Sequence, residues 1–223
     1  INPNFAQAHN NLGNLLKDLG QTDEAIKSYQ KAIEINPNFA HAYNNLGNAY
    51  KDLGQLKIAV SNYEKAIEIS PIFSEAYNNL GNAFKDLYEF DDAVKSYQKA
   101  VEIDNNVYEP YYNLGVVLIQ LKQFNKAIES FESAMDVNPS FAQAYNNLGS
   151  ALMSQGRLDE SVSYFQKSLD VDNGYVNAHN NLGIALTDLG QLKAGAKSIE
   201  RAIEIDPEFA EAHNSLCLLY TSP

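Results

Sequence analysis

Tryptophan is absent from the 223 residues, cysteine occurs once and methionine twice. The lone Cys217 forms no disulfide within the chain, so a cross-linked fold and a cysteine-ligated metal cluster are both excluded. Positive charge is scarce. Lysine and arginine total 16 against 28 aspartates and glutamates, a net charge of −12. Nucleic acid is therefore not an expected partner, because phosphate binding needs a basic stripe. No apolar run approaches the ~18 residues of a bilayer span, so membrane insertion is not expected either. No charged-then-apolar leader opens the chain, which starts at Ile1 and reads as cut upstream; a cytoplasmic location is the expectation. Asn138-Pro139-Ser140 has the spacing of a glycosylation sequon but is blocked by its proline.

What is present is a period of 34. Leu-Gly pairs stand at Leu12-Gly13, Leu46-Gly47, Leu80-Gly81, Leu114-Gly115, Leu148-Gly149 and Leu182-Gly183, and the next step lands on Leu216-Cys217. Other columns keep this register. Three residues before each leucine comes His9, Tyr43, Tyr77, Tyr111, Tyr145, His179 or His213. Further on come small residues (Ala25, Ala59, Ala93, Ala127, Ser161, Gly195), then Tyr29, Tyr63, Tyr97, Phe131, Phe165 and Ile199. Pro37, Pro71, Pro139 and Pro207 close four of the units. Spacings of three and four belong to one helix face, so each unit reads as two helices, about 41–53 and 57–69 in the second unit. Gly20, Gly54, Gly156 and Gly190 mark the turn between them, with Tyr88 and Lys122 in the equivalent places. A hydrophobic content of 45% suffices for a continuous core, which a single hairpin cannot close alone.

The pattern Tyr-x-x-Leu-Gly-x-x-Tyr, then Ala-x-x-x-Tyr-x-x-Ala, then Pro resembles the tetratricopeptide repeat family over residues 1–220. The resemblance implies an all-α, right-handed superhelical solenoid of antiparallel helix hairpins whose first helices line a concave groove. It also implies a binding role without catalysis. In this frame residues 1–5 end a preceding, truncated unit, matching 35–39. Full units follow at 6–39, 40–73, 74–107, 108–141, 142–175 and 176–209, and 210–223 holds the first helix of a seventh. The run from Cys217 to Pro223 leaves the pattern and reads either as translated adaptor sequence or as a divergent cap. Without a polar capping helix an apolar edge is expected there, through which arrays can self-associate. Gly195 and Ile199 depart from the small/aromatic pair, and looser packing is expected in the sixth unit.

The first helices are rich in asparagine. One column is Asn11, Asn45, Asn79, Asn113, Asn147 and Asn181, and beside it run Asn10, Asn44, Asn78, Asn146 and Asn180. One turn later stand Asn14, Asn48 and Asn82, then Lys17, Lys51 and Lys85, each lysine followed by an aspartate. All lie off the Leu/Tyr packing positions and are expected on the groove. An amide side chain both donates and accepts, so a row of them can pair with the backbone of an extended peptide whatever its side chains. The same amides could instead cap neighbouring helices or only keep the groove soluble. In units four to six the groove places hold Tyr112, Val116, Ile119, Met153 and Ile184, which read either as a docking site for a partner's apolar side chain or as residues buried against the adjacent helix. The aspartates beside Lys17, Lys51 and Lys85 argue against a lysine clamp for a peptide carboxylate.

Catalytic, metal-binding and cofactor-binding residues are not identified. His9, His179 and His213 occupy the aromatic packing column, and no two histidines have i,i+4 spacing. Asp170-Val171-Asp172-Asn173-Gly174 resembles the opening of a calcium loop but has Asn181 where the closing glutamate belongs. The leading reading is a scaffold that takes a protein or peptide ligand, extended or helical, into its groove. The alternative is a substrate-recruiting arm of a larger enzyme. It rests on the asparagine column, which resembles that of the superhelical arm of O-linked N-acetylglucosamine transferases.

Overall fold

The computed structural model describes residues 5–221, with side chains through residue 219. Of the expected fragment of a preceding unit only Phe5 is described, and the last residues of the divergent tail lie outside the description. Among the described residues there are thirteen α-helices and no strand. They form hairpins: α1 (Ala6–Asp18) with α2 (Thr22–Ile35), α3 (Ala40–Asp52) with α4 (Leu56–Ile69), and α5 (Ser74–Asp86) with α6 (Phe90–Ile103). Then come α7 (Tyr108–Gln120) and α8 (Phe124–Val137), α9 (Ala142–Ser154) and α10 (Leu158–Val171), and α11 (Val176–Asp188) and α12 (Leu192–Ile205). Helix α13 (Ala210–Thr221) stands last. The hairpin of residues 40–69 thus lies within one residue of the limits its periodicity predicts. No described helix is long and apolar enough to cross a membrane.

The helices group into two compact units, one ending at Asn113 and one starting at Leu114. Within each, a second helix packs on its own partner and on the next first helix, as α2 does on α1 and α3, and α10 on α9 and α11. First helices also meet one another: α1 with α3, α3 with α5, α9 with α11, and α11 with α13. Within each unit no second helix meets another second helix among the described residues. The first helices therefore crowd together on one side of each unit, and the second helices splay on the other.

Every hairpin turn uses one geometry. The N–H of the third residue past the helix donates to the carbonyl five residues back, as Gln55 to Tyr50 at 2.9 Å and Gln123 to Leu118 at 2.8 Å. The residue between must be left-handed. Gly54 has φ +72°, and Tyr88 and Lys122, which replace glycine, are held at +63° and +57°. Each of those two side chains costs roughly 1–2 kcal/mol in that conformation. Between hairpins an Asx turn carries the chain: Asn36 Oδ1 accepts from the Asn38 N–H at 3.2 Å, and Asp104 and Asp172 accept likewise from Asn106 and Gly174. This explains why Asn105 and Asn173 can replace the closing proline without loss of the junction. Asp172, in the segment that resembles a calcium loop, is spent on that turn.

Inside each hairpin an aromatic ring lies on a glycine. Tyr63 is fully buried, and a Cβ placed on Gly47 would sit 2.6 Å from its Cε1. The same contact recurs between Gly81 and Tyr97, Gly115 and Phe131, and Gly149 and Phe165. Around Tyr63 gather Ala59, Leu80 and Ala83, with Tyr50, Val60, Ile67 and Phe84 at the margin. The sixth unit corrects the expectation of looser packing. Gly195 and Gly183 let α11 and α12 approach backbone to backbone, a Cβ on Gly195 falling 2.8 Å from the Gly183 carbonyl oxygen. Ile199 is only 1% exposed there.

Substituting Gly47→Ala forces the new methyl into a ring that cannot retreat, and should destabilise the protein by about 1–3 kcal/mol. Urea unfolding of Gly47→Ala checks this; a midpoint equal to that of the wild type would show that the ring has room to move.

Candidate functional site

The crowded side of each unit carries the asparagines, and the two adjacent columns have different fates. Asn10, Asn44, Asn146 and Asn180 are 1–5% exposed, and Asn78 is half-buried. The first four are thus withdrawn from the exposed surface expected of them, because the next first helix packs over them. The other column stays accessible, fully at Asn11 and partly at Asn45, Asn79, Asn113, Asn147 and Asn181.

The columns are tied together from hairpin to hairpin. Asn45 Nδ2 donates to Asn10 Oδ1 at 3.0 Å, Asn79 Nδ2 to Asn44 Oδ1 at 3.0 Å, and Asn113 Nδ2 to Asn78 Oδ1 at 3.1 Å. In the second unit Asn181 Nδ2 donates to Asn146 Oδ1 at 2.9 Å. In the register Tyr112 takes the place of an acceptor amide, and Asn147 Oδ1 accepts from Asn146 Nδ2 at 3.2 Å. At the far end Ser215 replaces the donor, turns its hydroxyl to the Glu211 carbonyl, and Asn180 Oδ1 is buried without a hydrogen bond from any described group.

The third asparagine column has a task that its spacing alone does not reveal. Tyr29 Oη donates to Asn14 Oδ1 at 2.9 Å, Tyr63 Oη to Asn48 Oδ1 at 2.7 Å, and Tyr97 Oη to Asn82 Oδ1 at 2.8 Å. A buried phenol needs a partner, and where the ring is Phe131, Phe165 or Ile199 the matching residue is Val116, Ser150 or Ile184. The signal was visible in the sequence as this paired change at a separation of fifteen. Asn14 Oδ1 also accepts from Asn45 Nδ2 at 3.1 Å, joining the pair to the ladder. Burial, with smaller contributions from Asp18 and Asp52, pushes the Tyr29 phenol up to about 12. Burial also raises Tyr63 and Tyr97, with nearby carboxylates adding. The phenols stay neutral and remain donors.

The charged places are partly self-paired. Lys17 Nζ lies 3.0 Å from Asp52, bridging α1 and α3, and Lys85 Nζ lies 4.0 Å from Asp86. Lys51 is half-buried. The apolar groove residues fall in different surroundings. Met153 is half-buried and packs against the cluster of Phe165, Leu182, Ala185 and Leu186, between hairpins. Tyr112 belongs to the first unit, while Val116 and Ile119 belong to the second; all three are half-buried. Ile184 lines an open pocket with Ile199 and Leu218. In the aromatic column, His179 Nε2 is 3.0 Å from the Asn173 carbonyl and His213 Nε2 is 2.8 Å from that of Pro207, so these rings tie unit junctions. Among the described residues no group of three or more His, Cys, Asp or Glu is placed to hold a metal.

Ser215→Asn should restore a donor to the Asn180 carbonyl. An unsatisfied buried acceptor costs about 1–3 kcal/mol, and recovering about 1 kcal/mol would raise the melting temperature by roughly 2–4 °C. An unchanged or lower melting temperature would show that this carbonyl is already satisfied.

The phenols give a pH signature. Their folded pKa lies above the unfolded value of about 10, so their contribution is complete below pH 10 and is lost as pH rises toward and past 12. Between pH 10 and 12 the wild type should lose stability more steeply than the triple variant Tyr29→Phe/Tyr63→Phe/Tyr97→Phe. Parallel pH profiles would refute the assignment.

Comparison with known proteins agrees with this architecture. The family model of the C-terminal domain of cilia and flagella-associated protein 70, a tetratricopeptide domain, matches residues 4–216. Among solved structures, YrrB, described as a tetratricopeptide protein with an unusual peptide-binding site, is 27% identical with a TM-score of 0.69, over 84% of this chain and 96% of its own. MamA is 31% identical with a TM-score of 0.68, over 72% of this chain and 94% of its own. PilF of Pseudomonas aeruginosa, 20% identical, shares the fold with a TM-score of 0.80 over 94% and 95%. No curated protein matches the sequence. The fold class is the all-α, superhelical repeat class, and the chain belongs to the tetratricopeptide repeat family.

Proposed function

We propose that this protein-interaction scaffold captures the backbone of an extended polypeptide along its accessible asparagine column. The observation that carries the reading is the ladder. One N–H of Asn79, Asn113 and Asn181, and the Nδ2 of Asn45 twice over, is committed to the scaffold. The amide planes are thereby held before any ligand arrives, which lowers the entropic cost of binding. The ladder spends the Nδ2 of Asn45, Asn79 and Asn113 and not their Oδ1, so in the first unit the column offers acceptors suited to backbone N–H groups. The peptide-binding description of YrrB supports a ligand of this kind. Net charge −12 favours approach by basic chains.

The recruiting-arm reading rests on the same column and differs in selectivity. Backbone capture is common to both readings, and a transferase domain encoded beside this segment would favour the arm.

The test is fluorescence anisotropy with a randomised pool of labelled 12-residue peptides. Asn45→Ala/Asn79→Ala/Asn113→Ala removes three acceptors worth about 1 kcal/mol each, and should weaken binding by at least about tenfold. Circular dichroism verifies that the variant is folded. Unaltered affinity in the folded variant would sink the proposal.

A further inference from the structure

The pocket lined by Ile184, Ile199 and Leu218 has a counterpart five repeats earlier. Asn14, Lys17, Asp18, Tyr29, Asn45 and Asn48 line a cleft of about 270 Å³ between α1, α2 and α3. Counted in the 34-residue frame, the same six places in α11, α12 and α13 line a pocket of about 220 Å³. One architectural niche therefore occurs twice with opposite chemistry. Asn14 becomes Ile184, Asn48 becomes Leu218, and the phenol of Tyr29 becomes the shorter Ile199. Lys17 gives way to Thr187, and the ladder amide Asn45 to the smaller Ser215, while Asp18 persists as Asp188. The early cleft is walled by the hydrogen-bonded Tyr29–Asn14–Asn45 group and bordered by the Lys17–Asp52 ion pair. The later one has lost the phenol, both amides and the cation, and Leu219 adds to its apolar wall.

We propose that this pocket is a specificity subsite that receives one leucine- or methionine-sized side chain of a bound polypeptide, with a basic residue of the ligand flanking it. The proposal rests on the backbone-capture reading. Ser215 stands in the register of the accessible asparagine column, so a chain running along that column passes the pocket mouth. Charge selects the neighbour of the apolar side chain. Asp188 is exposed, and Thr187 replaces the lysine that stands beside the equivalent carboxylate, so a ligand cation meets no competing positive charge at this place. Leu218 is 66% exposed and gains most when covered.

The test uses two labelled pools of randomised 12-residue peptides, one with a central Lys-Leu-Lys and the other with Lys-Asn-Lys. Affinities are measured by anisotropy for the wild type, for Ile184→Asn/Ile199→Tyr, which installs the pair found in the first three hairpins, and for Leu218→Asp, whose exposed site bears little on folding. The wild type should prefer the leucine pool by about tenfold, and both variants should lose that preference while still binding the asparagine pool. Equal binding of the two pools by the wild type, or a preference that survives Leu218→Asp, overturns the subsite and leaves backbone capture standing. Failure of both pools to bind overturns backbone capture and the subsite with it. A dimer in sedimentation analysis that Leu218→Asp dissociates, and that the leucine pool does not, assigns the pocket to a second copy of the chain and overturns the proposal.

Discussion

The contact between an aromatic ring and a glycine inside each hairpin sets the spacing on which the rest depends. Tyr63 occupies the place a Cβ on Gly47 would need, so the first helix approaches as closely as a side-chain-free backbone allows. With the helices at that distance, the phenol reaches across to Asn48 at 2.7 Å, and its neighbours Leu80 and Ala83 bring the next first helix into the same cluster. The lateral approach of successive first helices then places Asn45 and Asn79 within hydrogen-bond range of Asn10 and Asn44. A packing contact in the core thus determines the position of the outward amides. The surface proposed to face a ligand is thus set by hairpin geometry and not by loops.

Much of this was legible because a repeat is its own alignment. The Leu-Gly register gave the hairpins, and the 3.6-residue period gave helix limits close to the observed ones. The two asparagine columns were harder to separate. Adjacent residues on a helix point about 100° apart, so Asn44 and Asn45 both lie off the packing stripe of their own hairpin. Which of them is covered depends on where the following hairpin sits, and that is a tertiary fact. The covering buries Asn44 to 1% and leaves Asn45 accessible. For Met153 the two readings stayed open for the same reason: its own helix does not cover it, and it packs on residues of α11.

The pairing of Asn14, Asn48 and Asn82 with the buried phenols was readable in principle. Hydroxyl and amide change together: Tyr with Asn in three hairpins, then Phe131 with Val116, Phe165 with Ser150 and Ile199 with Ile184. Each column taken by itself looks like ordinary variation at a core or a surface position. Read jointly, the two obey the requirement that a buried polar group be hydrogen-bonded, and the chain replaces donor and acceptor in the same hairpin. Losing both partners together is nearly neutral, whereas losing one strands the other.

That coupling explains how the chemistry of the surface can vary while the scaffold holds. In the first hairpins the Tyr–Asn pair fills the niche beside the ladder and makes it polar. Once the pair is replaced by Ile199 and Ile184 the niche need no longer satisfy a phenol, and the residues around its mouth can become apolar without stranding a polar group. The substitution left unmatched is Ser215 opposite Asn180, where an acceptor remains without its donor. Its position beside the apolar pocket suggests an order of constraint. Inside a hairpin, where ring, glycine and amide pack as one group, changes must be concerted. Between hairpins, where the amides meet through a single side-chain hydrogen bond, a lone departure such as Ser215 is tolerated.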